Sequence, residues 1–107
     1  MQRTDGPDIV IVCDFCRRDW DGQEPMIEGH LGSVLCLRCL QQALAARAPG
    51  PGPYRCTMCI REQLPAALPR WAAPGHAESI ICQDCIRQAA TAFSRSPHTA
   101  WEWDGQG

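Results

Sequence analysis

The sequence predicts a small, metal-stabilised α+β protein in which one ββα unit occurs twice in tandem. Three observations predict it. All eight cysteines fall in four C-x2-C pairs, and the stretch Gly29 to Ala46, GHLGSVLCLRCLQQALAA, returns in the same order as Gly75 to Ala92, GHAESIICQDCIRQAATA. The chain of 107 residues leaves each copy below about 50 residues, where an apolar core alone rarely holds a fold. Something other than apolar burial must do so.

Composition narrows what that is. Apolar residues make up 45% of the chain, but Ala and Cys supply much of this, and the aromatic residues are only four Trp, two Phe and one Tyr. The N-terminal run MQRTDGPDIVIVC contains Asp and Pro, has an apolar stretch of only Ile9 to Val12 and does not resemble an export signal, so a cytoplasmic, reducing setting is expected. There the cysteines read as metal ligands and not as disulfides. No apolar run reaches the length of a membrane span, so no membrane association is expected. The formal charge is -2; two divalent ions on eight thiolates would take it to about -6 by ligand charge counting. Such a protein is poorly suited to non-specific nucleic-acid binding.

The chain then reads in order as follows. Met1 to Asp8 is expected as a loose lead-in, and Ile9 to Val12 as a strand feeding Cys13 and Cys16. Arg17 to Glu28 reads as a polar loop ending in a short strand, and Ser33 to Leu35 as the strand that returns to Cys36. Beyond Cys36 the period changes. Leu40, Ala43, Leu44 and Arg47 fall at i, i+3, i+4 and i+7, as do Ile86, Ala89, Ala90 and Phe93 in the second copy, so each unit ends in a helix with one apolar stripe. Pro49 and Pro97 suit helix ends. Between the units, Ala48-Pro49-Gly50-Pro51-Gly52-Pro53-Tyr54 is a linker, part stiff and part hinged, of at most about 20 Å. Leu64 to Pro74, LPAALPRWAAP, reads as a Pro-bounded turn of helix. The divisions expected are residues 1–48 and 54–95 for the two units, 49–53 for the linker and 96–107 for the tail. In that tail Trp101 and Trp103 are expected to cover apolar surface of their own domain, with anchoring of a partner as the alternative.

Two cysteines two residues apart can place both sulfurs on one metal, about 2.3 Å from zinc. The spacings are C-x2-C-x19-C-x2-C and C-x2-C-x22-C-x2-C. Of three possible pairings, the sequential one is predicted: Cys13, Cys16, Cys36 and Cys39 on one ion, Cys56, Cys59, Cys82 and Cys85 on the other. The Leu40 to Arg55 gap, holding a helix and a linker, argues against a cross-braced RING. Two zinc ions are expected, with rubredoxin-like iron the weaker alternative, because the second pair of each set opens a helix whose dipole stabilises thiolate charge. Four thiolates close the coordination sphere, so no catalysis is expected there. His30 and His76 occupy matching places before the third cysteine and read as turn or outer-sphere groups and not as ligands; His98 has no counterpart. Arg17, Arg18, Arg38, Arg55, Arg61 and Arg87 lie near the ligands. Interspersed Asp14, Asp19, Asp21, Glu62 and Asp84 favour charge compensation over a phosphate-binding set.

The order of cysteine pair, loop, return strand, second cysteine pair and helix resembles a treble-clef zinc finger. Within that group VCDFCRRDW...PMIEGHLGSVLCLRCLQQAL resembles the four-cysteine N-terminal zinc-binding domain of the ClpX unfoldase, over residues 10–46 and more weakly over residues 54–93. Arg17 and Ile60 stand where that family often has Gly after the first pair. The phosphate loop of the ATPase is missing, as is any Lys to supply one. The resemblance implies a domain that dimerises and binds adaptors and substrates. Two copies in one chain then imply an intramolecular pseudo-dimer, a pseudo-twofold unit with its helix stripes packed together. The function expected is a non-enzymatic protein-interaction module, its partner peptide received near Leu40, Leu44, Ile86, Phe93 and Trp71. A small nucleic-acid-binding zinc protein acting through Arg is the alternative.

Overall fold

The computed structural model describes residues 1–97, 99–103 and 105. Its elements are β1 (Gln2–Asp5), β2 (Asp8–Ile11), β3 (Met26–Glu28), β4 (Val34–Cys36), α1 (Leu37–Ala46), β5 (Arg70–Ala73), β6 (His76–Cys82) and α2 (Gln83–Arg95). Three antiparallel hairpins result, β1-β2, β3-β4 and β5-β6, and the last two each run straight into a helix. Four expectations about the course of the chain need correction. Met1 to Asp8 is not a loose lead-in: β1 pairs with β2 across the Gly6 turn, whose φ of 64° an L side chain rarely adopts. The return strand sits one residue later than expected, ending on Cys36 itself. Leu64 to Pro74 holds strand β5 where a turn of helix was predicted, because Trp71 and Ala73 alternate inward against Ile81 of β6. The linker does not hinge freely. Ala48 exchanges backbone hydrogen bonds with Arg70, Gly50 N–H donates to the Ala66 carbonyl, and Tyr54 pairs with Leu64.

The repeated Gly-His pairs do different work. At Pro74-Gly75 the β5-β6 hairpin turns tightly, with Gly75 at φ 79°. Gly29 instead allows close approach: a Cβ there would lie 2.7 Å from the Met58 carbonyl of the second unit. The first hairpin turns later, through a single 3-10 turn at His30–Gly32.

The stripes of α1 and α2 face one another. Leu40, Ala43, Ile86, Ala89, Ala90 and Phe93 lie in one shared core with Phe15, Leu35, Tyr54, Trp71 and Ile81. Consequently Leu40, Ile86 and Phe93 do not line an open partner groove as expected. Each is at most 1% exposed, since burying them against the opposite helix removes more apolar surface than either small unit could bury alone. Trp71 is also buried, and Leu44 is half-buried beside them. Trp101 and Trp103 pack on the same core, with Trp103 N–H donating to Ser94 Oγ at 2.8 Å and the Arg87 guanidinium over its ring. His98 and Asp104 lie outside the described residues.

The two units exchange contacts in both directions. His30 N–H donates to the Met58 carbonyl at 2.8 Å. In return, Ser79 Oγ donates to the Asp14 carbonyl at 2.8 Å, and Arg17 donates to Ser79 and Glu78. The hairpin of each unit thus rests on the first cysteine turn of the other.

One position breaks the stripe. Arg47 occupies the place that Phe93 holds in α2, and its Nη1 is buried with no hydrogen-bond partner. Desolvation, reinforced by Arg87, lowers its pKa. Two substitutions should therefore act in opposite directions in urea denaturation of the metal-loaded protein. Phe93→Ala is expected to cost about 3–5 kcal/mol, and Arg47→Leu to add about 1 kcal/mol by removing an unpaired buried donor.

Candidate metal centres

Each centre is built from two turns of chain. In the first, Cys13 and Cys16 lie in a tight loop closed by Arg17 N–H to the Cys13 carbonyl and Cys13 N–H to the Arg18 carbonyl. The second centre repeats it with Ile60 N–H to the Cys56 carbonyl and Cys56 N–H to the Arg61 carbonyl. The loop needs a left-handed residue after the second cysteine, and Arg17 and Ile60 supply it at φ 63° and 64°, the positions where the resemblance leads one to expect Gly. A non-glycine residue there carries roughly 1–2 kcal/mol of strain. Each loop is locked to its own hairpin: Asp14 N–H donates to the Val34 carbonyl and Val34 N–H to Asp14 Oδ2, while Thr57 and Ile80 repeat both bonds.

The other two cysteines come from the strand-to-helix step. Cys36 and Cys82 are the residues immediately before α1 and α2, in extended conformation, and Cys39 and Cys85 lie in the first helical turns. The helix N-termini, with their free amides, point towards the sulfurs.

The sulfurs gather in the two predicted foursomes. Cys13, Cys16, Cys36 and Cys39 have their Sγ atoms within 4.8 Å of one another, and so do Cys56, Cys59, Cys82 and Cys85. Individual separations are 3.8 Å for Cys13–Cys39, 3.7 Å for Cys16–Cys36, 3.7 Å for Cys56–Cys85 and 3.9 Å for Cys59–Cys82. A disulfide needs about 2.05 Å, and none of the eight is bonded to another. Four sulfurs about 2.3 Å from a central ion sit about 3.8 Å apart along each edge of a tetrahedron. These are two clusters positioned for metal binding.

The surroundings favour charged sulfur. Phe15 N–H points at Cys13 Sγ at 3.4 Å; Cys59 and Cys82 N–H point at Cys56 Sγ at 3.5 and 3.4 Å. Arg18 reaches Cys36 at 3.4 Å, and Arg61 reaches Cys59 at 3.1 Å and Cys82 at 3.4 Å. Arg18 is tied in turn to Glu24 and Arg61 to Asp84, so these two arginines do compensate thiolate charge. Arg17, Arg38, Arg55 and Arg87 have other partners, namely Glu78, Glu24, Glu62 and the Trp103 ring.

Without a cation the sulfurs compete for protons. Hydrogen bonds from Cys36 and then Cys39 hold the Cys13 thiol down to about 3, while its contact with Cys13 pushes Cys39 far above the ordinary thiol range. In the second cluster Cys82 is held far down by hydrogen bonding from Cys56 and Cys85, while Cys85 is driven up and Cys56 rises to about 11. One thiolate per cluster suppresses the next, and a divalent ion is what lets all four ionise together.

Neither His30 nor His76 belongs to a cluster. The His30 ring is exposed, and its backbone N–H serves the contact between units. Asp14, expected from the sequence only as a charge-compensating acid, and Thr57, which the sequence did not single out, pin the hairpins with their side chains. Their matching places between the two cysteines of each first pair were the available signal.

Fold and site together define a small α+β protein with two four-cysteine centres suited to structural metal ions. No protein-family model, curated protein or solved structure matches the chain.

Removal of metal should be cooperative, because the centres share one core. Cys82→Ser is expected to lose one ion and to lower the stability of both units in a single transition, followed by far-ultraviolet circular dichroism and by metal content. Two separate transitions would contradict a shared core.

Proposed function

We propose that the protein is a non-enzymatic, zinc-binding protein-interaction module of adaptor type. On this reading its two units (residues 1–48 and 54–95) are treble-clef fingers joined by the 49–53 linker into a pseudo-twofold body, similar to the zinc-binding domain of the ClpX unfoldase but without its ATPase. The observation that carries the reading is the pair of four-sulfur clusters at tetrahedral spacing. Each ion would have a complete sphere of protein ligands and no place for water or substrate, which is the signature of a structural site. Zinc is preferred to iron because helix N-termini and arginine donors stabilise the four thiolates around a redox-inert ion and the sequence carries no redox-partner motif. A cytoplasmic, reducing compartment would keep the thiolates available.

Protein is preferred to nucleic acid as the partner because the basic charge is already engaged. Of ten arginines, Arg3, Arg17, Arg18, Arg38, Arg55 and Arg61 pair with Asp19, Glu78, Glu24, Glu24, Glu62 and Asp84. Few remain to meet phosphates, and the zinc-loaded body would carry about -6 by ligand charge counting. No helix among the described residues is long and apolar enough to cross a membrane.

Native mass spectrometry is expected to report two zinc ions per chain. Chelation under reducing conditions should abolish the circular dichroism of both helices, since structural zinc contributes on the order of 10–16 kcal/mol in comparably small folds. A single-stranded or duplex oligonucleotide should bind weakly at 50 mM salt; tight binding that falls steeply between about 50 and 200 mM would favour the nucleic-acid reading instead.

A further inference from the structure

The two centres present the same outline to solvent. In each, one edge of the sulfur tetrahedron is buried, Cys13–Cys39 or Cys56–Cys85, and the opposite edge is partly exposed, Cys16–Cys36 or Cys59–Cys82. Cys16 and Cys59 are the two cysteines of the eight that are not buried. A small reagent therefore meets the matching sulfur in both.

What differs is the set of donors. Arg61 lies along the outer edge of the second centre, with Nε donating to Cys59 at 3.1 Å and Nη2 to Cys82 at 3.4 Å. Its acid partner Asp84 is 52% exposed, so water screens the competing charge. In the first centre Arg18 uses a single nitrogen, Nη2, for both Cys36 and Glu24, and that carboxylate is only 16% exposed. Arg18 also lies beside Cys16 but directs no N–H at that sulfur. The amides repeat the imbalance, two pointing at Cys56 and one at Cys13. Each N–H···S bond draws electron density from a thiolate, and a less basic thiolate is a weaker nucleophile. Of the two outer sulfurs, Cys16 keeps more of its electron density.

We propose that Cys16 is a modification site for hydroperoxides, at which oxidation expels the ion of the first centre and leaves that of the second in place. The inference rests on reading both centres as zinc sites. The Cys16 thiolate attacks one oxygen of hydrogen peroxide, breaking the O–O bond and yielding a sulfenic acid and hydroxide. Cys36 Sγ, 3.7 Å away, then attacks the oxidised sulfur, releases a second hydroxide and closes a disulfide of about 2.05 Å. Two electrons pass from two thiolates to the peroxide, and two of the four ligands are consumed. The new bond still joins the first cysteine turn to the end of β4, so the shared core keeps that tie. Exchange with a dithiol reverses the step.

The test treats the full, zinc-loaded chain with hydrogen peroxide, following zinc with a chromogenic chelator and the oxidised cysteines by peptide mass mapping. One ion per chain should leave at least about tenfold faster than the other. Its release should keep step with a Cys16–Cys36 disulfide, and a dithiol should restore binding of both ions. Arg61→Gln, at a half-exposed position, should speed the slower release to within about threefold of the faster one. Glu24→Gln, which frees Arg18 for the sulfurs, should slow the faster release and serves if Arg61→Gln fails to fold. Equal release of both ions from the unsubstituted chain, first oxidation at a pair without Cys16, or an unchanged rate in any variant that folds overturns the inference. A chain that holds two zinc ions and releases them together refutes this inference alone. A chain that holds no zinc refutes the reading beneath it as well.

Discussion

Eight sulfurs drawn into two clusters cannot all carry charge unless a cation sits among them, and the rest of the molecule depends on that constraint. Each cluster ties a cysteine turn to the first turn of a helix through atoms less than 4 Å apart. This fixes the hairpin between them without requiring it to have a core of its own. β3-β4 has only three residues per strand, well short of what an isolated hairpin needs for stability. The bonds from Asp14 to Val34 and from Thr57 to Ile80 then set how each loop meets its strand.

Tying each unit internally does not give either one an interior. The shared core does, because the helix stripes pack on each other and each hairpin settles on the cysteine turn of the opposite unit. This reciprocal arrangement explains why a linker rich in Pro and Gly is pinned and not free. Its ends lie beside β5, and Arg70, stacked 3.9 Å above the Tyr54 ring and donating to the Gly52 carbonyl at 2.7 Å, holds it there. Burial raises the Tyr54 phenol to about 12, in keeping with its place in that packed layer.

Duplication also makes departures from equivalence informative. Trp71 against Ile27, Phe15 against Met58, Arg17 against Ile60 and Phe93 against Arg47 are four places where the copies differ in size or charge within a common frame. Three lie where one unit rests on the other, and they leave one side closed by a ring and an ion pair and the other by the smaller Ile27 and Met58. The fourth leaves a guanidinium where an aromatic ring belongs, at a cost that the rest of the core must offset.

What the sequence determined by itself was the chemistry of the centres and the kind of element around each. Ligand spacing reflects how a short loop curls around a sulfur, and helical period reflects which side chains share a face; both are local and so can be read from neighbouring residues. The two cysteine foursomes, the two helices and the β3-β4 return were legible for that reason. The role of Leu64 to Pro74 was not, because Trp71 is held in a strand by Ile81 and Phe15, which are remote along the chain. The packing of the two helix stripes on each other was expected from the repeat, but the same residues were also expected to border a partner groove. Only the tertiary structure decided that Leu40, Ile86 and Phe93 are wholly consumed by that packing, since two very small units bury enough surface only by closing completely on one another.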